Sequence, residues 1–198
     1  MSSNDKSTAP HRCAWTNLNN PLYVQYHDEE WGVPCHSDRA LFELLILEGF
    51  QAGLSWECIL NKREAFRRAF DGFDVEAVSA YDEQKIDLLM ADASIVRNRQ
   101  KIKASITNAQ VFKQIQEEFG LFDAYIWKFV DGEPVNESHT IRTTSPLSDE
   151  ISKDLKKRGM KFVGSTIVYS FLQAIGVING HEESCYLFGV ERSDRQGL

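Results

Sequence analysis

The stretch RALFELLILE, residues 39–48, decides the fold class of this 198-residue chain. Leucine and isoleucine recur there at helical spacing, and the apolar residues leave no broad polar face. A helix of this composition would expose its leucines to water if it lay on a protein surface. The sequence therefore predicts a buried central helix over residues 39–48, around which the other elements pack.

The segments on both sides of this stretch also follow a helical period, and none alternates as a strand would. The clearest pattern covers residues 98–119, where Ile102, Ile106, Phe112 and Ile115 share one face and Gly120 provides a stop. Further helices are predicted over residues 62–70, after an N-cap at Asp82, over 122–129, from Ser148 or Asp149 to Gly159, and over 165–175. We therefore expect an all-α protein.

The composition suits one medium-sized domain with loose ends. Hydrophobic residues make up 42% of the chain, enough for a substantial core. Residues 1–10 and 191–198 lack apolar periodicity, so we expect a disordered N-terminal tail, a single domain over residues 11–190 and a flexible C-terminal tail. No apolar run has the length of a membrane span or the form of a signal peptide. This predicts a cytoplasmic protein with no membrane association.

The formal net charge of −7 argues against a nucleic-acid partner, because DNA-binding proteins usually present a basic face. The basic residues are nevertheless gathered into three short blocks, at residues 62–68, 97–103 and 153–161. Such segregation leaves room for a DNA-binding face. On charge alone, the simpler interpretation that these blocks are solvated helix surfaces stays open.

The cysteines and histidines provide candidate metal ligands. Cys13 and His27 lie near the N-terminus, while His181 and Cys185 lie near the C-terminus with the i, i+4 spacing of one helix face. Two thiolates and two imidazoles suit tetrahedral zinc, and a closed set of four would be structural. Ordinary buried cysteines and histidines remain an alternative. Rival donors are also possible on composition alone: Cys35, His36 and Cys58.

A second constellation surrounds the end of the central helix. Glu48 terminates the most apolar helix in the chain, and a glycine-containing loop leads from it to Trp56. A buried carboxylate is costly unless it is paired or used. Tyr26 and Trp31 lie in another aromatic segment, and a carboxylate among aromatic rings suits a flat cationic ligand. The alternative is a Glu48 side chain that points into solvent, with core aromatics behind it.

The third constellation is the stretch LKKRGMKFVGST, residues 155–166. A helix is predicted to end at Gly159, a short turn to close at Gly164, and a new helix to begin. Free backbone N–H groups at the start of that helix would form a seat for an anion, with lysines beside it. The pattern has the form of a helix-hairpin-helix, which grips DNA phosphates without base specificity. The alternative is an ordinary turn between two helices.

Taken together, these segments closely resemble one family, 3-methyladenine DNA glycosylase I. The motifs keep their order and spacing over nearly the whole chain. They are RCAW (12–15), YHDEEWGVP (26–34), LEGFQAGLSW (47–56), KRE (62–64), RNRQKI (97–102), LKKRGMKFVG (155–164), and His181 with Cys185. The resemblance implies an all-helical, two-lobed helix-hairpin-helix glycosylase fold in which a structural zinc site joins the N- and C-terminal segments.

The resemblance also implies roles for individual residues. The implied zinc ligands are Cys13, His27, His181 and Cys185. In the implied base pocket Glu48 is catalytic, and the base-binding residues are Tyr26, Trp56 and their neighbour Trp31. The loop from Gln51 to Leu54 would fill the gap left in the duplex. The hairpin from Lys161 to Gly164 would bind phosphates.

Two positions depart from the family's pattern. Phe50 stands where the pattern has a polar residue, which would change how the loop enters DNA. Gly180 stands where an acidic residue can occur, so we assign no catalytic aspartate there. An adenine methylated at N3 already carries positive charge and can leave as a neutral base. Its release therefore does not need the general acid that most glycosidic cleavages require.

The implied activity is the removal of 3-methyladenine from alkylated double-stranded DNA, by flipping the nucleotide out and hydrolysing its glycosidic bond. We expect a monomer with no obligate protein partner. One alternative is a protein of the same fold that binds lesions without cutting, against which the intact Glu48, Tyr26 and Trp56 argue. Another is a zinc hydrolase, which needs an open coordination position that four protein ligands do not leave.

Overall fold

The computed structural model describes residues 10–137, 142–190 and Arg192, and most of them are helical. The helices are α1 (Pro21–Gln25), α2 (Asp38–Gln51), α3 (Trp56–Leu60), α4 (Arg63–Ala69), α5 (Val75–Ser79), α6 (Glu83–Ala91), α7 (Arg99–Phe119), α8 (Phe122–Trp127), α9 (Pro146–Arg158) and α10 (Ser165–Ala174). A π-helical turn follows α1 at Tyr26–Glu30, and 3-10 turns lie at Asp71–Phe73 and Lys128–Val130. The predicted tails fall almost entirely outside the described residues.

Two short strands modify the expected all-α class. β1 (Val135–Asn136) pairs in parallel with β2 (Ile178–Asn179). A strand of two residues is too short to produce the alternation that identifies strands in a sequence. None of the helices in the described ranges is both long enough and apolar enough to cross a membrane.

The predicted central helix is confirmed as α2. Every residue from 40 to 50 is buried, and the helix contacts α3, α7, α8 and α10. Complete enclosure places two carboxylates, Glu43 and Glu48, inside the protein. Glu43 is neutralised by ion pairs with Arg63 and Arg67. Glu48 faces a cavity instead.

The ends of the long helices follow their capping residues. Asn98 caps α7 by accepting the Lys101 N–H at 3.1 Å, and Gly120 ends this helix at a φ of 84°. α9 begins earlier than the sequence predicts. Ser145 is its N-cap, and the side chain of Ser148 accepts the Ser145 N–H at 2.8 Å to complete a capping box. Ser148 therefore lies inside the first turn rather than at its start.

Candidate active site and metal centre

A cavity of about 280 Å³ lies beside the C-terminal half of α2. This volume falls just below the range of about 300–1,000 Å³ for drug-sized pockets, so it suits a single flat heterocycle. Its wall is mainly aromatic, and the lining residues are Trp15, Tyr23, Tyr26, Trp31, Glu48, Gln51, Trp56, Ser170 and Gln173. All four predicted pocket residues, Tyr26, Trp31, Glu48 and Trp56, are brought together here.

Glu48 is the one carboxylate among these lining residues, and it is 3% exposed. Its Oε2 has no hydrogen-bond partner among the described residues. Burial away from water raises the pKa of the Glu48 carboxyl to about 8. Without a counter-charge the group is therefore mostly protonated at neutral pH, and a cation beside it would favour its ionised form. The alternative of a solvent-facing Glu48 is wrong.

The aromatic wall contains residues that the sequence interpretation missed. Trp15 packs against Trp31 and Tyr23, with ring centroids 4.8 and 5.5 Å apart. On the other side, Tyr26 and Trp56 lie 5.2 Å apart. The spacing of Tyr23 and Tyr26, three residues apart on one helix face, was a usable signal. Trp15 lies far from Glu48 in the chain, and the only sequence signal for it was its place in the RCAW motif.

The π-helical turn Tyr26–Glu30 joins the cavity to a second site. Tyr26 lines the cavity, whereas the next residue, His27, is fully buried in a cluster of cysteines and histidines. Trp31 belongs to both regions, since it lines the cavity and packs edge-on against His181 at 4.8 Å. Single π-helical turns often occur at functional sites.

The four predicted metal ligands converge in this cluster. The donor atoms of Cys13, His27, His181 and Cys185 all lie within 4.8 Å of one another, and all four residues are buried. The Sγ–N separations are 3.6 Å for Cys13–His181, 3.5 Å for Cys185–His27 and 3.7 Å for Cys185–His181. A tetrahedral zinc ion with ordinary bond lengths separates sulfur and nitrogen ligands by about 3.6 Å. The cluster can therefore hold a metal ion.

A second layer of side chains orients this cluster. Asp28 Oδ1 lies 2.8 Å from His27 Nδ1, which leaves His27 Nε2 to face the cysteines. Arg12 binds Asp28 in turn, at 2.6 Å. Burial raises the pKa of the Cys13 thiol to about 12. A metal ion must therefore displace thiol protons on binding.

The rival metal donors lie outside the cluster. Cys35 is buried elsewhere in the core, and its carbonyl accepts from Trp127 Nε1 at 3.2 Å. His36 contacts Asp123, with Nδ1 and Oδ1 2.8 Å apart. Cys58 lies in the first turn of α3. Folding therefore selects one of the sets that composition left open.

The loop after Glu48 is divided between core and surface. Gln51 lines the cavity, and Leu54 is 43% exposed at the tip of the loop. Phe50, by contrast, is 1% exposed and packs against Phe66 and Phe70, at 4.8 and 5.8 Å between ring centroids. The last turn of α2 directs this side chain into the core, so Phe50 is not exposed on the loop surface.

The predicted hairpin lies between α9 and α10. Gly159 ends α9 in the left-handed conformation, at a φ of 106°, and Gly164 is the N-cap residue of α10. Lys161 is exposed between them, and Phe162 has a positive φ of 54°.

Ion pairs distinguish the three basic blocks. In the first block, Arg63 and Arg67 bind Glu43. In the second, Arg99 and Lys103 bind Glu83 at 2.7 and 2.6 Å. The third block retains exposed lysines that form no ion pair within the described ranges: Lys153, Lys156, Lys157 and Lys161. The third block therefore has the largest group of exposed lysines available to an anion, whereas the other two blocks each retain one exposed arginine of this kind, Arg68 and Arg97.

Gly180 lies where an acidic residue would meet the cavity wall. A Cβ at this position would be 2.4 Å from Gln173 Nε2 and 3.4 Å from Trp31 Cη2. The Gln173 side chain therefore fills the space that an aspartate at position 180 would need.

Comparison with known proteins agrees with this geometry. The family profile described as methyladenine glycosylase matches residues 15–188. The chain is 47% identical over 178 residues to DNA-3-methyladenine glycosylase 1 of Escherichia coli (strain K12), an alignment covering 88% of this chain and 95% of that protein. The corresponding protein of Haemophilus influenzae is 37% identical over 178 residues, covering 88% and 96%.

Solved structures give the same result. A crystal structure of 3-methyladenine DNA glycosylase I superposes with a TM-score of 0.84 at 45% identity, covering 89% of this chain and 98% of that one. A structure of the Staphylococcus aureus enzyme, described as the structural basis of 3-methyladenine recognition, has a TM-score of 0.85 at 39% identity, covering 90% and 97%. The chain belongs to the methyladenine glycosylase family.

Proposed function

We propose that this protein is a base-excision repair glycosylase that removes 3-methyladenine from alkylated double-stranded DNA. One observation carries the proposal: the buried, unpartnered Glu48 oxygen inside an aromatic cavity of base-like size. The names of the relatives describe the same activity, and the extent of the alignments supports its transfer to this chain.

The cavity distinguishes a cationic base from a neutral one by charge and by stacking. Adenine methylated at N3 carries a positive charge, which the ionised Glu48 carboxylate would balance while it accepts from the base edge. Tyr26 would bind the same edge, and Trp56 would stack on the ring face, where a cation gains most. Trp31 would close the opposite wall. Neutral adenine would leave Glu48 without a counter-charge and protonated.

Bond cleavage then follows from the charge of the lesion. The C1′–N9 bond breaks with its electron pair moving to the base, which leaves neutral, and water adds to C1′ and loses a proton to solvent. Glu48 acts by binding the cationic base once it has flipped out of the duplex, which favours the extrahelical lesion over the stacked one, and by orienting the base for departure. No second carboxylate from the cavity lining is required.

We assign the protein's contacts with DNA to two elements. The loop from Gln51 to Leu54 would enter the duplex where the flipped nucleotide has left. The hairpin from Lys161 to Gly164, with the unpaired lysines of the third block, would bind phosphates as a helix-hairpin-helix. We further propose a two-lobed helix-hairpin-helix fold over residues 11–190, acting as a monomer without an obligate protein partner.

We propose that the Cys13, His27, His181 and Cys185 cluster holds structural zinc. Four buried donors complete a tetrahedral coordination shell, which favours a structural role over a hydrolytic one. Bound there, the ion would cross-link the two ends of the chain.

Base release from methylated duplex DNA tests the proposal. Chromatography should detect free 3-methyladenine with the wild-type protein, and Glu48→Gln should slow its release roughly 10- to 100-fold, the value of one charge-assisted hydrogen bond. Glu117→Gln, which changes an exposed carboxylate on α7, should release base at the wild-type rate. If folded, zinc-loaded wild-type protein released nothing, the lesion binder that does not cut would replace the enzyme.

A further inference from the structure

The RNRQKI motif, residues 97–102, opens α7, yet none of its residues lines the cavity or joins the metal cluster. Lys101 is nevertheless only 8% exposed, a costly position for an ammonium group. Its Nζ donates to the carbonyl oxygens of Phe50 at 2.8 Å and Ala52 at 2.6 Å. These two carbonyls end the helix that carries Glu48 and begin the loop that reaches Leu54. Lys101 therefore fixes the backbone of that loop.

Asn108 makes the equivalent connection to the hairpin. It lies seven residues after Lys101, about 10.5 Å further along the same face of α7, and is 4% exposed. Its Nδ2 donates to the Lys161 carbonyl at 2.9 Å, and its Oδ1 accepts the Lys161 N–H at 2.8 Å. One buried amide thus binds both backbone groups of a single hairpin residue, which fixes that residue's orientation.

The hairpin needs such support because its backbone is strained. Phe162 adopts a φ of 54°, a left-handed conformation that is unfavourable for a non-glycine residue. Besides Asn108, the buried Ser152 holds the hairpin by donating from Oγ to the Val163 carbonyl at 2.7 Å. The void between α2, α7 and the hairpin has a volume of about 10 Å³, no more than one water molecule needs. The three elements are therefore closely packed against one another at this point.

We infer that α7 sets the separation between the loop that enters DNA and the hairpin that binds phosphate, with Lys101 and Asn108 as positioning residues. The inference rests on the proposed function of these two elements. Flipping requires that the hairpin hold the backbone while the loop occupies the gap, so their spacing determines whether the base meets the cavity. Neither side chain contacts the base, and their effect is confined to how DNA is held.

Asn108→Ala provides the first test, with Gln110→Ala as the matched control. Gln110 lies on the same helix and also donates from a side-chain amide to a backbone carbonyl, that of Ser79 at 3.2 Å, but it is exposed. The readouts are affinity for a duplex containing an uncleavable abasic-site analogue at several KCl concentrations, and affinity for free 3-methyladenine. For Asn108→Ala we expect about tenfold weaker duplex binding and a salt slope smaller by about one, as for one lost phosphate contact. Affinity for free 3-methyladenine should stay within about twofold of the wild-type value, because the free base binds in the cavity and Asn108 does not line it.

Two further variants keep the test decisive if Asn108→Ala does not fold. Ser152→Ala removes one hairpin hydrogen bond and should weaken duplex binding in the same direction. Lys101→Met should slow single-turnover base release at saturating DNA about tenfold, and Lys101→Arg should recover part of that rate because it keeps the donors.

Wild-type duplex affinity and salt slope in folded Asn108→Ala or Ser152→Ala would overturn the inference. Equal losses of duplex and free-base binding would also overturn it, because they indicate general destabilisation. Failure of the proposed function is a separate result, in which the wild type itself releases no base. The duplex-binding measurements do not depend on cleavage and would still test the positioning role.

Discussion

At the scale of single residues, Glu43 and Glu48 show how position alone divides the roles of two similar side chains. Both lie on α2, and both are buried. Glu43 faces α4, where it forms ion pairs with Arg63 and Arg67. Glu48 faces the cavity without an ionic partner, so burial alone determines its protonation. The unpaired carboxylate costs stability in the free protein and gains a partner when a cation binds.

Replacing Glu48 by Gln should therefore stabilise the free protein at neutral pH. Folding raises the pKa of Glu48 from 4.5 to about 8, so its contribution to stability is complete below pH 4.5 and is lost as pH rises through about 8. The Glu48→Gln variant does not lose this contribution. Its free energy of unfolding should therefore exceed that of the wild type by an amount that grows between pH 5 and 8 and is roughly 3 kcal/mol near pH 7. Urea unfolding of both proteins at pH 5 and pH 8 measures the difference. Parallel pH dependences would contradict the assignment of a strained carboxylate.

Substitutions at Phe50 and Leu54 should distinguish an effect on stability from an effect on base release. Phe50→Ala removes a core ring and should lower the free energy of unfolding by about 3–5 kcal/mol, whereas base release per folded molecule stays near wild type. Leu54→Ala changes an exposed side chain and should leave stability within about 0.5 kcal/mol while slowing base release from duplex DNA. Denaturant titrations and single-turnover kinetics at low temperature measure both quantities. The reverse pattern would place Phe50 in the DNA-contacting loop.

At the scale of elements, the cluster of Cys13, His27, His181 and Cys185 joins the N- and C-terminal segments of the protein. The N-terminal segment contacts the C-terminal one through the Tyr186 N–H and the His11 carbonyl at 2.8 Å, and through the Ala14 N–H and Glu182 at 2.9 Å. The π-helical turn carries both His27 and Tyr26, so a metal ion bound in the cluster would also support the cavity wall. We therefore expect loss of the metal ion to disturb the wall of the base pocket through this turn.

Removal of the metal should lower the melting temperature by roughly 10 °C, corresponding to a few kcal/mol for a chain of this size. Calorimetry before and after treatment with a zinc chelator, with metal content measured by mass spectrometry, checks this value. Cys185→Ala should behave like the chelated protein, and Cys58→Ala, which lies outside the cluster, like the untreated one. An unchanged melting temperature in metal-free protein would exclude a structural role.

At the scale of the whole molecule, a net charge of −7 is compatible with DNA binding because ion pairs involve some of the basic residues and leave others unpaired. Half of the arginines and lysines of the first two blocks form ion pairs with carboxylates on neighbouring helices. The third block keeps its exposed lysines beside the hairpin. The third block therefore gathers four exposed lysines in a protein whose overall charge is negative, and that overall charge would disfavour DNA contacts elsewhere.

Affinity for duplex DNA should consequently fall with salt, and the lysines beside the hairpin should account for the slope. Lys157→Ala combined with Lys161→Ala should reduce the slope of log affinity against log salt by about two. The Lys85 ammonium binds Asp71 at 3.0 Å, so Lys85→Ala should leave the slope unchanged. Fluorescence anisotropy between low and physiological KCl measures these slopes. An equal effect of Lys85 would indicate diffuse binding.

The sequence alone determined the helical class, the central helix, the limits of α7 and the membership of the cavity's main residues. These features depend on local patterns: an apolar stretch without a polar face, an N-cap and a glycine stop, and motifs long enough to identify a family. It did not determine the start of α9, since Ser145 and Ser148 are both good capping residues and only their reciprocal hydrogen bonds decide between them. The strand pair was missed because two residues carry no period.

Only the tertiary structure decided which polar groups meet. It brought the donor atoms of Cys13, His27, His181 and Cys185 together, although 168 residues separate the first and third of them along the chain. It buried Phe50, added Trp15 and Tyr23 to the cavity, and brought Lys101 and Asn108 to two loops that begin about 50 residues away in either direction. The burial, pKa and pairing of a side chain depend on the residues around it. Contacts between segments that are distant in the chain form only once the helices have packed.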